Sequence, residues 1–427
     1  MMEKKICAVG DVILMESLPD DYDLHALKDI ICQADMKLFN LEEVLCDEDI
    51  YASSYCGGTW LMARTKCLDE VLKFGFNGCG YANNHTMDYS YDGLFATKKA
   101  LADRGIPGCG AGKDLEEAAS YVKVQQGEKK IGLISICSTF NDAARAGDPD
   151  GDMPGRPGLN PLRFSTVYQI TPEHMKSLKE MAAGTCIDGR RNRSRMGGYT
   201  PAVPEGQFGF GEYFFEESEV EGKRSNPKKE DVERTVKEIQ RAKEECGQVF
   251  VYVHSHEIKH EMDDEPDDFL VEFCHACAEA GASAVFGTGT HQLKAVEVYK
   301  GCPIFYSLGN FIFQTDQVFC LPADFNEKYH YPAGISTQEK IARRSAGGTK
   351  GLHADVNNFR SLMPFMTFED GILKELKLYP LRLNMETGLP ALADAKEAEV
   401  ILNYMNERNA PYGTKLTIRD GVMVLEV

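Results

Sequence analysis

The sequence of 427 residues lacks a long apolar run. No stretch approaches the ~20 consecutive apolar residues that a membrane-spanning helix needs, so we expect no membrane insertion. The first apolar run, in MMEKKICAVGDVIL, is short and is interrupted by Gly10 and Asp11, which is not the form of a signal peptide. These two features favour a cytoplasmic location.

Positive charge is also scarce, because 47 lysines and arginines face 66 acidic residues, giving a net charge of −19. An acidic surface repels phosphate backbones, so nucleic acid and anionic membrane are poor candidates for the main partner. A local basic pocket for a small-molecule or polymeric anionic substrate remains compatible with this charge. The composition leaves the oligomeric state open.

Cysteine motifs are incomplete. The 14 cysteines are scattered, many inside apolar segments, which is typical of reduced and buried thiols. Cys274 and Cys277 have the spacing of half a zinc site, but the sequence has no second CxxC motif. They also fall inside the predicted helix DDFLVEFCHACAEAGA. We therefore prefer two core-facing cysteines, with a zinc site as the alternative.

Strands and helices alternate along the first third of the chain. KKICAVGDVIL, MKLFNLE and FNGCGYA have the character of strands, and LHALKDIICQA, CLDEVLKFG and YDGLFATKKALADRG that of helices. The same alternation returns after residue 229, and two Asp-Gly pairs near the C-terminus predict hairpins over about 360–427. This order predicts an α/β fold.

Two irregular segments interrupt the alternation, at about 139–226 and 314–358. The first is rich in Gly, Arg, Pro and Asp, with one predicted helix near PEHMKSLKEM. We interpret it as an inserted lid or long loop system, since loops of this length are usually functional. The chain is therefore predicted to be a single domain, 1–427, with two insertions.

Polar residues follow the predicted strands at the points where the strands end. In open α/β sheets ligands bind beyond the carboxyl ends of strands, and Asp, Glu, Asn and His side chains can together bind a divalent metal ion. Any one of these residues alone is better explained as a turn, a surface residue or a structural histidine. Their joint position favours a site. The residues are Asp11, Glu42, Asn83, Asn84, His85, His254, His256 and His291.

Several longer segments resemble a known family. GDVIL, NLEEVL, GFNGCGYANNHTMDYSYDGLFATKKAL and GCPIFYSLGNFIF, in this order, are similar to the capsule-synthesis CapA family, also described as poly-gamma-glutamate biosynthesis proteins. That family resembles the calcineurin-like metallophosphoesterases. The resemblance implies a calcineurin-like two-sheet β-sandwich flanked by helices, with inserted lid regions and a metal site at one edge. It also implies one or two divalent ions (Mn, Zn or Fe).

The resemblance also implies roles for the polar residues. His85 would be the general acid that protonates the leaving group, while Asn83 and Asp88 would support the turn. The phosphoesterases carry a histidine where this chain has Ile13, and the family commonly has a second histidine in the turn before His291. These departures leave the number of ions at one or two, and His256 is a candidate replacement ligand. The implied metal ligands are Asp11, Glu42, Asn84, His254, His256 and His291.

The first irregular segment contains a candidate anion-binding motif, GRPGLNPLR, with Arg156, Asn160 and Arg163. Arginine binds carboxylate or phosphate with two parallel hydrogen bonds. We expect these residues to contact an anionic substrate, with ordinary loop packing as an equally weighted alternative.

Three functions are consistent with these features. We prefer metal-dependent hydrolysis of a phosphoester. A second enzyme function is hydrolysis or transfer on an amide or on poly-gamma-glutamate, which the family description suggests. The third is a non-catalytic module that binds an anionic polymer or assembles a synthesis complex.

Overall fold

A computed structural model describes residues 3–262 and 265–425. Its largest element is a mixed sheet with the first strand, Glu3–Ile13, near its centre. The strands, in sheet order, are Leu416–Arg419, Val422–Leu425, Ile372–Leu383, Arg360–Glu369, Glu3–Ile13, Met36–Leu41, Gly78–Gly80 and Gly108–Cys109. Two further strands extend it, since Asn310–Phe313 pairs with Glu3–Ile13 and Pro390–Leu392 pairs with Ile372–Leu383.

A second mixed sheet packs against the first. Its strands, in order, are Val296–Tyr299, Cys302–Phe305, Ala284–Gly289, Val249–Ser255, Lys129–Cys137 and Val122–Gln126. A buried apolar layer lies between the sheets, with Ile6 and Leu38 from the first and Phe250 and Phe286 from the second. The two-sheet α/β sandwich predicted from the sequence is thus confirmed.

Helices cover the outer faces of both sheets. Lys229–Cys246 and Asp268–Ala280 bury Ile239 and Phe273 against the second sheet, because their apolar residues recur at helical spacing. Cys274 and Cys277 lie in this core, 0% and 1% exposed, which supports the core interpretation of the CxxC motif. The other helices are His25–Ile31, Lys66–Leu72, Ser90–Asp103, Leu115–Ala119, Pro172–Thr185, Gly189–Met196, Ala323–Tyr329, Thr337–Arg344 and Ala395–Asn409.

Parallel pairing brings the carboxyl ends of the central strands to one edge of the sandwich. In the first sheet Asp11 is paired with Asn40, and in the second His254 is paired with Thr288. Gly10 allows a close approach here, since a Cβ atom at this position would lie 1.8 Å from the carbonyl oxygen of Gly309. This edge therefore collects the polar strand ends of both sheets.

The predicted Asp-Gly hairpins are confirmed. Asp370 and Gly371 join the strands Arg360–Glu369 and Ile372–Leu383, with φ of 48° and 83°. Asp420 and Gly421 join the last two strands with φ of 52° and 78°. Two consecutive positive φ values are the geometry of a type I′ turn, which favours Asp-Gly.

The segment 139–226 was expected to be an inserted lid or a long loop system, and much of it has regular structure instead of a long loop. The predicted helix is present as Pro172–Thr185, with the Thr171 side chain accepting a hydrogen bond from the backbone N–H of His174. However, a second helix and a four-stranded sheet accompany it. These short strands are mostly half-exposed, with few buried positions, so their alternation is weak in the sequence. They are Gln207–Phe210, Tyr213–Glu217, Phe164–Ile170 and Gly222–Pro227.

Candidate metal centre

Asp11 lies at the centre of the shared edge and is fully buried. Its Oδ1 accepts a hydrogen bond from Asn40 Nδ2 at 2.8 Å, and its Oδ2 accepts one from the backbone N–H of Gly289 at 3.0 Å. Burial alone would raise the pKa of the Asp11 carboxyl, but the interactions with His254, 3.7 Å away, and with Gly289 outweigh burial and lower it. Asp11 is therefore a fixed anion.

Glu42 follows the strand Met36–Leu41 and is 0% exposed, yet neither of its carboxylate oxygens has a hydrogen-bond partner. Its Oε1 lies 3.5 Å from His254 Nε2 and 3.9 Å from His85 Nε2. Burial, and then the charge of Asp11, raise the pKa of Glu42 well above its usual value. A buried carboxylate without a partner is costly, and a divalent cation would compensate it. This donor set therefore fits a metal ion.

The tight turn after the strand Gly78–Gly80 orients Asn84. Asn84 Nδ2 donates to the carbonyl oxygen of Gly57 at 3.0 Å, which leaves Oδ1 directed at His254 Nε2, 2.8 Å away. Asn83 fixes the turn, because its Nδ2 donates to the carbonyl oxygen of Leu41 and its Oδ1 accepts from the backbone N–H of His85. The turn thus presents an amide oxygen to the buried cluster.

His85 is held by Asp88. The His85 Nδ1 lies 2.7 Å from Asp88 Oδ2, and Asp88 also accepts hydrogen bonds from the backbone N–H groups of Gly57 and Leu61. With Nδ1–H donating to the carboxylate, Nε2 is left to face Glu42. The sequence indicated Asp88 only as a support of the turn. Its direct contact with the imidazole was missed, although spacing of three residues within a turn is a usable signal.

His254 and His256 approach each other at the end of the strand Val249–Ser255. Their Nε2 atoms are 3.3 Å apart, and His254 Nδ1 lies 2.9 Å from the hydroxyl of Thr288. Removal from water, and then the nearby charge of His254, lower the pKa of His256 well below its usual value. The neutral imidazole that results is the form that binds metal ions.

His291 adopts a left-handed backbone conformation, with φ of 62°. Its Nδ1 lies 2.8 Å from Asn310 Oδ1, so Nδ1–H donates to the amide oxygen and Nε2 is the acceptor. Burial lowers its pKa to about 4. This unusual φ in a residue other than glycine costs free energy, and such conformations are concentrated at functional sites.

The predicted ligands form two overlapping groups that could hold a metal ion. Glu42 belongs to both groups, and the ligand atoms within each lie within 4.8 Å of one another. Asn84 adds an amide oxygen beside His254. All six residues therefore lie together, and their role as ligands stays a prediction. The groups are Asp11, Glu42 and His254, and Glu42, His256 and His291.

The predicted substrate-binding residues of the first insertion lie elsewhere and have other partners. Arg163 forms two hydrogen bonds of 2.8 Å with the buried carboxylate of Asp231. The Asn160 side chain donates to the carbonyl oxygen of Ser135, and Arg156 Nε donates to that of Arg145. None of the three lines the cavity above the candidate metal centre. Their substrate role stays a prediction, and these contacts are of the packing kind.

A cavity of about 400 Å³ opens above the cluster, with His85, His256 and His291 in its lining. Its walls come from the loop around Gly58 and from the second irregular segment, which carries the helices Ala323–Tyr329 and Thr337–Arg344. These wall residues were not among the site residues predicted from the sequence, although KIARRSAGGTKG is visibly basic in an acidic chain. The cationic side chains are Lys328, Arg344 and Lys350.

The two-sheet sandwich and the buried carboxylate, amide and imidazole groups at one edge define an α/β protein with a candidate divalent-metal site. The profile of the family described as bacterial capsule synthesis protein PGA_cap matches residues 5–315. The chain belongs to this family. The assignment made from the sequence motifs is therefore confirmed.

Relatives agree with this assignment. An uncharacterised protein of Sinorhizobium fredii, y4sH, is 27% identical over 98% of this chain and 92% of its own length. The PGA biosynthesis protein CapA of Bacillus subtilis is 36% identical over 57% of this chain and 44% of its own length. A probable polyglutamine synthesis accessory protein of Mycobacterium tuberculosis is 23% identical over 55% of this chain and 44% of its own length.

No helix within residues 3–262 and 265–425 combines the length and the apolar character needed to cross a membrane.

Proposed function

We propose that the chain is a metal-dependent hydrolase that acts on a phosphoester. The observation that carries the proposal is Glu42, a buried carboxylate without a hydrogen-bond partner that is shared by two candidate ligand groups. A single structural carboxylate would be paired inside the protein. A carboxylate shared between two groups of imidazole and carboxylate ligands is instead suited to one or two divalent ions.

Four strand ends and one turn would supply the ligands. Asp11, Glu42 and Asn84 offer oxygen atoms, and His254, His256 and His291 offer imidazole nitrogens, a mixture suited to Mn, Zn or Fe. A bound ion would supply the positive charge that stabilises a phosphoryl group during transfer. The hydrogen bonds from Asn40 to Asp11 and from His291 to Asn310 would orient these ligands before binding.

His85 would move a proton in this reaction. It lines the cavity, and its Nε2 lies 3.9 Å from Glu42 Oε1. In the protonated state, Nε2–H can donate to the leaving-group oxygen of a substrate in the cavity. Asp88 holds Nδ1–H at 2.7 Å and stabilises the imidazolium, so the proton to be transferred is the one on Nε2.

The experiment is metal analysis paired with turnover. Purified protein supplemented with manganese is expected to bind metal and to hydrolyse p-nitrophenyl or bis-p-nitrophenyl phosphate. His85→Ala should retain the metal and lose most turnover, about 100-fold or more. His25→Ala, a change at an exposed histidine outside the cavity lining, is the control. Absence of bound metal after supplementation, or full activity of His85→Ala, would contradict the proposal.

A second candidate is hydrolysis or transfer at an amide bond of a glutamate polymer, with an anionic polymer as substrate. The names of the Bacillus and Mycobacterium relatives, which refer to PGA biosynthesis and polyglutamine synthesis, favour it. Mass spectrometry of a glutamate polymer incubated with the manganese-supplemented protein tests this candidate. Shortened chains that depend on His85 would support it. Binding that survives His85→Ala, without turnover, would instead support a non-catalytic binding or assembly module.

A further inference from the structure

The cavity above the candidate metal centre is more positive than the protein as a whole. Three cationic side chains line it, Lys328, Arg344 and Lys350, against one carboxylate, that of Asp316. The complete chain has a net charge of −19. A positive wall on an acidic protein raises the local concentration of anions at this opening.

Arg344 is already neutralised. Its Nη2 lies 2.9 Å from Asp316 Oδ1, and its Nη1 donates to the hydroxyl of Thr59. His353 Nδ1 lies 3.1 Å from the other carboxylate oxygen of Asp316. This network joins the helix Thr337–Arg344 to Thr59 and Asp316, so Arg344 holds the cavity wall in place.

Lys328 and Lys350 differ from Arg344, because neither ammonium group pairs with a carboxylate within residues 3–262 and 265–425. Lys328 Nζ has one long hydrogen bond, 3.4 Å, to the carbonyl oxygen of Gly58, and lies 5.4 Å from the ring centroid of Tyr329. Lys350 is exposed and lines the same cavity. Two ammonium groups without a carboxylate partner therefore line the same cavity as His85, His256 and His291.

We propose that Lys328 and Lys350 form a second anion-binding subsite, an inference that rests on the proposed function. The substrate would be a phosphoester with a carboxylate or a second phosphate on its leaving group. A cavity of about 400 Å³ is within the range that holds a small organic molecule, and is larger than one phosphate group requires. A lysine acts as a point charge, so it accepts either anion without a fixed geometry.

The test compares matched ligands by isothermal titration calorimetry on the full chain with manganese. Ethyl phosphate and 2-phosphoglycolate differ in a methyl group against a carboxylate, and ethylene glycol bisphosphate supplies a second phosphate. The wild type is expected to bind 2-phosphoglycolate and ethylene glycol bisphosphate, which both carry a second anionic group, about tenfold more tightly than ethyl phosphate. The double variant Lys328→Met/Lys350→Met should lose this preference and bind ethyl phosphate within about twofold of the wild type.

Lys396→Met is the matched control, since this exposed lysine lies outside the cavity lining. Equal affinity of the wild type for all three ligands would overturn the subsite, as would equal weakening of all three in the double variant. If only 2-phosphoglycolate or only ethylene glycol bisphosphate binds more tightly than ethyl phosphate, the subsite is specific for a carboxylate or for a phosphate, respectively. Turnover of p-nitrophenyl phosphate is measured separately. Absence of turnover would overturn the hydrolase proposal, whereas the subsite is judged only by the calorimetric affinities.

Discussion

The carboxylate of Glu42 offers a direct measurement of what the candidate metal centre does for the fold. Both of its oxygens lack hydrogen-bond partners inside the protein, while the nearest imidazole nitrogens are 3.5 and 3.9 Å away. Glu42→Gln replaces the ionisable carboxyl with a neutral amide and keeps the size of the side chain. We expect this variant to be more stable than the wild type without metal and less responsive to metal.

The magnitudes follow from burial and from mass action. Because the pKa of Glu42 is raised above its unfolded value, keeping this carboxyl in the metal-free fold at neutral pH costs about 1 kcal/mol or more, and Glu42→Gln, a neutral group of the same size, should gain that amount in the free energy of unfolding. Manganese at about 100 times its dissociation constant should add about 2.7 kcal/mol to the wild type. If the variant binds about 100-fold more weakly, the same manganese adds only about 0.4 kcal/mol.

Urea unfolding of chelator-treated and manganese-supplemented protein measures both effects. Glu43→Gln is the matched control, because Glu43 is equally buried but accepts a hydrogen bond from the backbone N–H of Leu14 and belongs to neither ligand group. Its response to manganese should equal that of the wild type. The reasoning is refuted if manganese stabilises Glu42→Gln as much as the wild type, or if metal-free Glu42→Gln is the less stable protein.

Three further changes test other parts of the structure. Asp88→Asn should lower kcat about 100-fold with metal content unchanged, because the amide no longer stabilises the His85 imidazolium; kcat near the wild-type value would contradict this. Arg163→Ala should cost about 1–3 kcal/mol at pH 7 in urea unfolding with KM unchanged. Burial alone would raise the pKa of Asp231, but the hydrogen bond from Arg163 and the nearby arginine charge lower it. The ion pair therefore stabilises the fold fully above the unfolded pKa of about 3.9, and the stability difference between the wild type and Arg163→Ala should shrink below about pH 4. Gly10→Ala should cost about 3 kcal/mol or more by the same assay, since the added Cβ would lie 1.8 Å from a backbone carbonyl oxygen.

Much of the fold was predictable because its signals are local. Alternating strands and helices, the Asp370-Gly371 and Asp420-Gly421 turns and the core-facing cysteines depend on residues close together in the chain. The segment 139–226 was not predictable to the same degree. Its strands are mostly half-exposed, so they lack the strong alternation of a strand with one buried face.

The convergence of the candidate ligands also followed from the sequence, given one general rule. Polar residues placed directly after strands predict a shared site if those strands run parallel, and Asp11, Glu42 and His254 do meet at one edge. The sequence could not show that Glu42 lacks a hydrogen-bond partner, or that Asp88 contacts the His85 ring. Both depend on side-chain packing between separate elements.

The sequence by itself determined most of the helices and strands, the family and the set of polar residues at the strand ends. Hydrophobic periodicity, turn residues and the order of motifs all depend on residues that are close together in the chain. Only the tertiary structure decided which charges face one another. Arg163 pairs with Asp231, 68 residues away, while Lys328 contacts Gly58 across 270 residues. Electrostatic partners over such distances are selected by the packing of whole elements, and no local pattern encodes them.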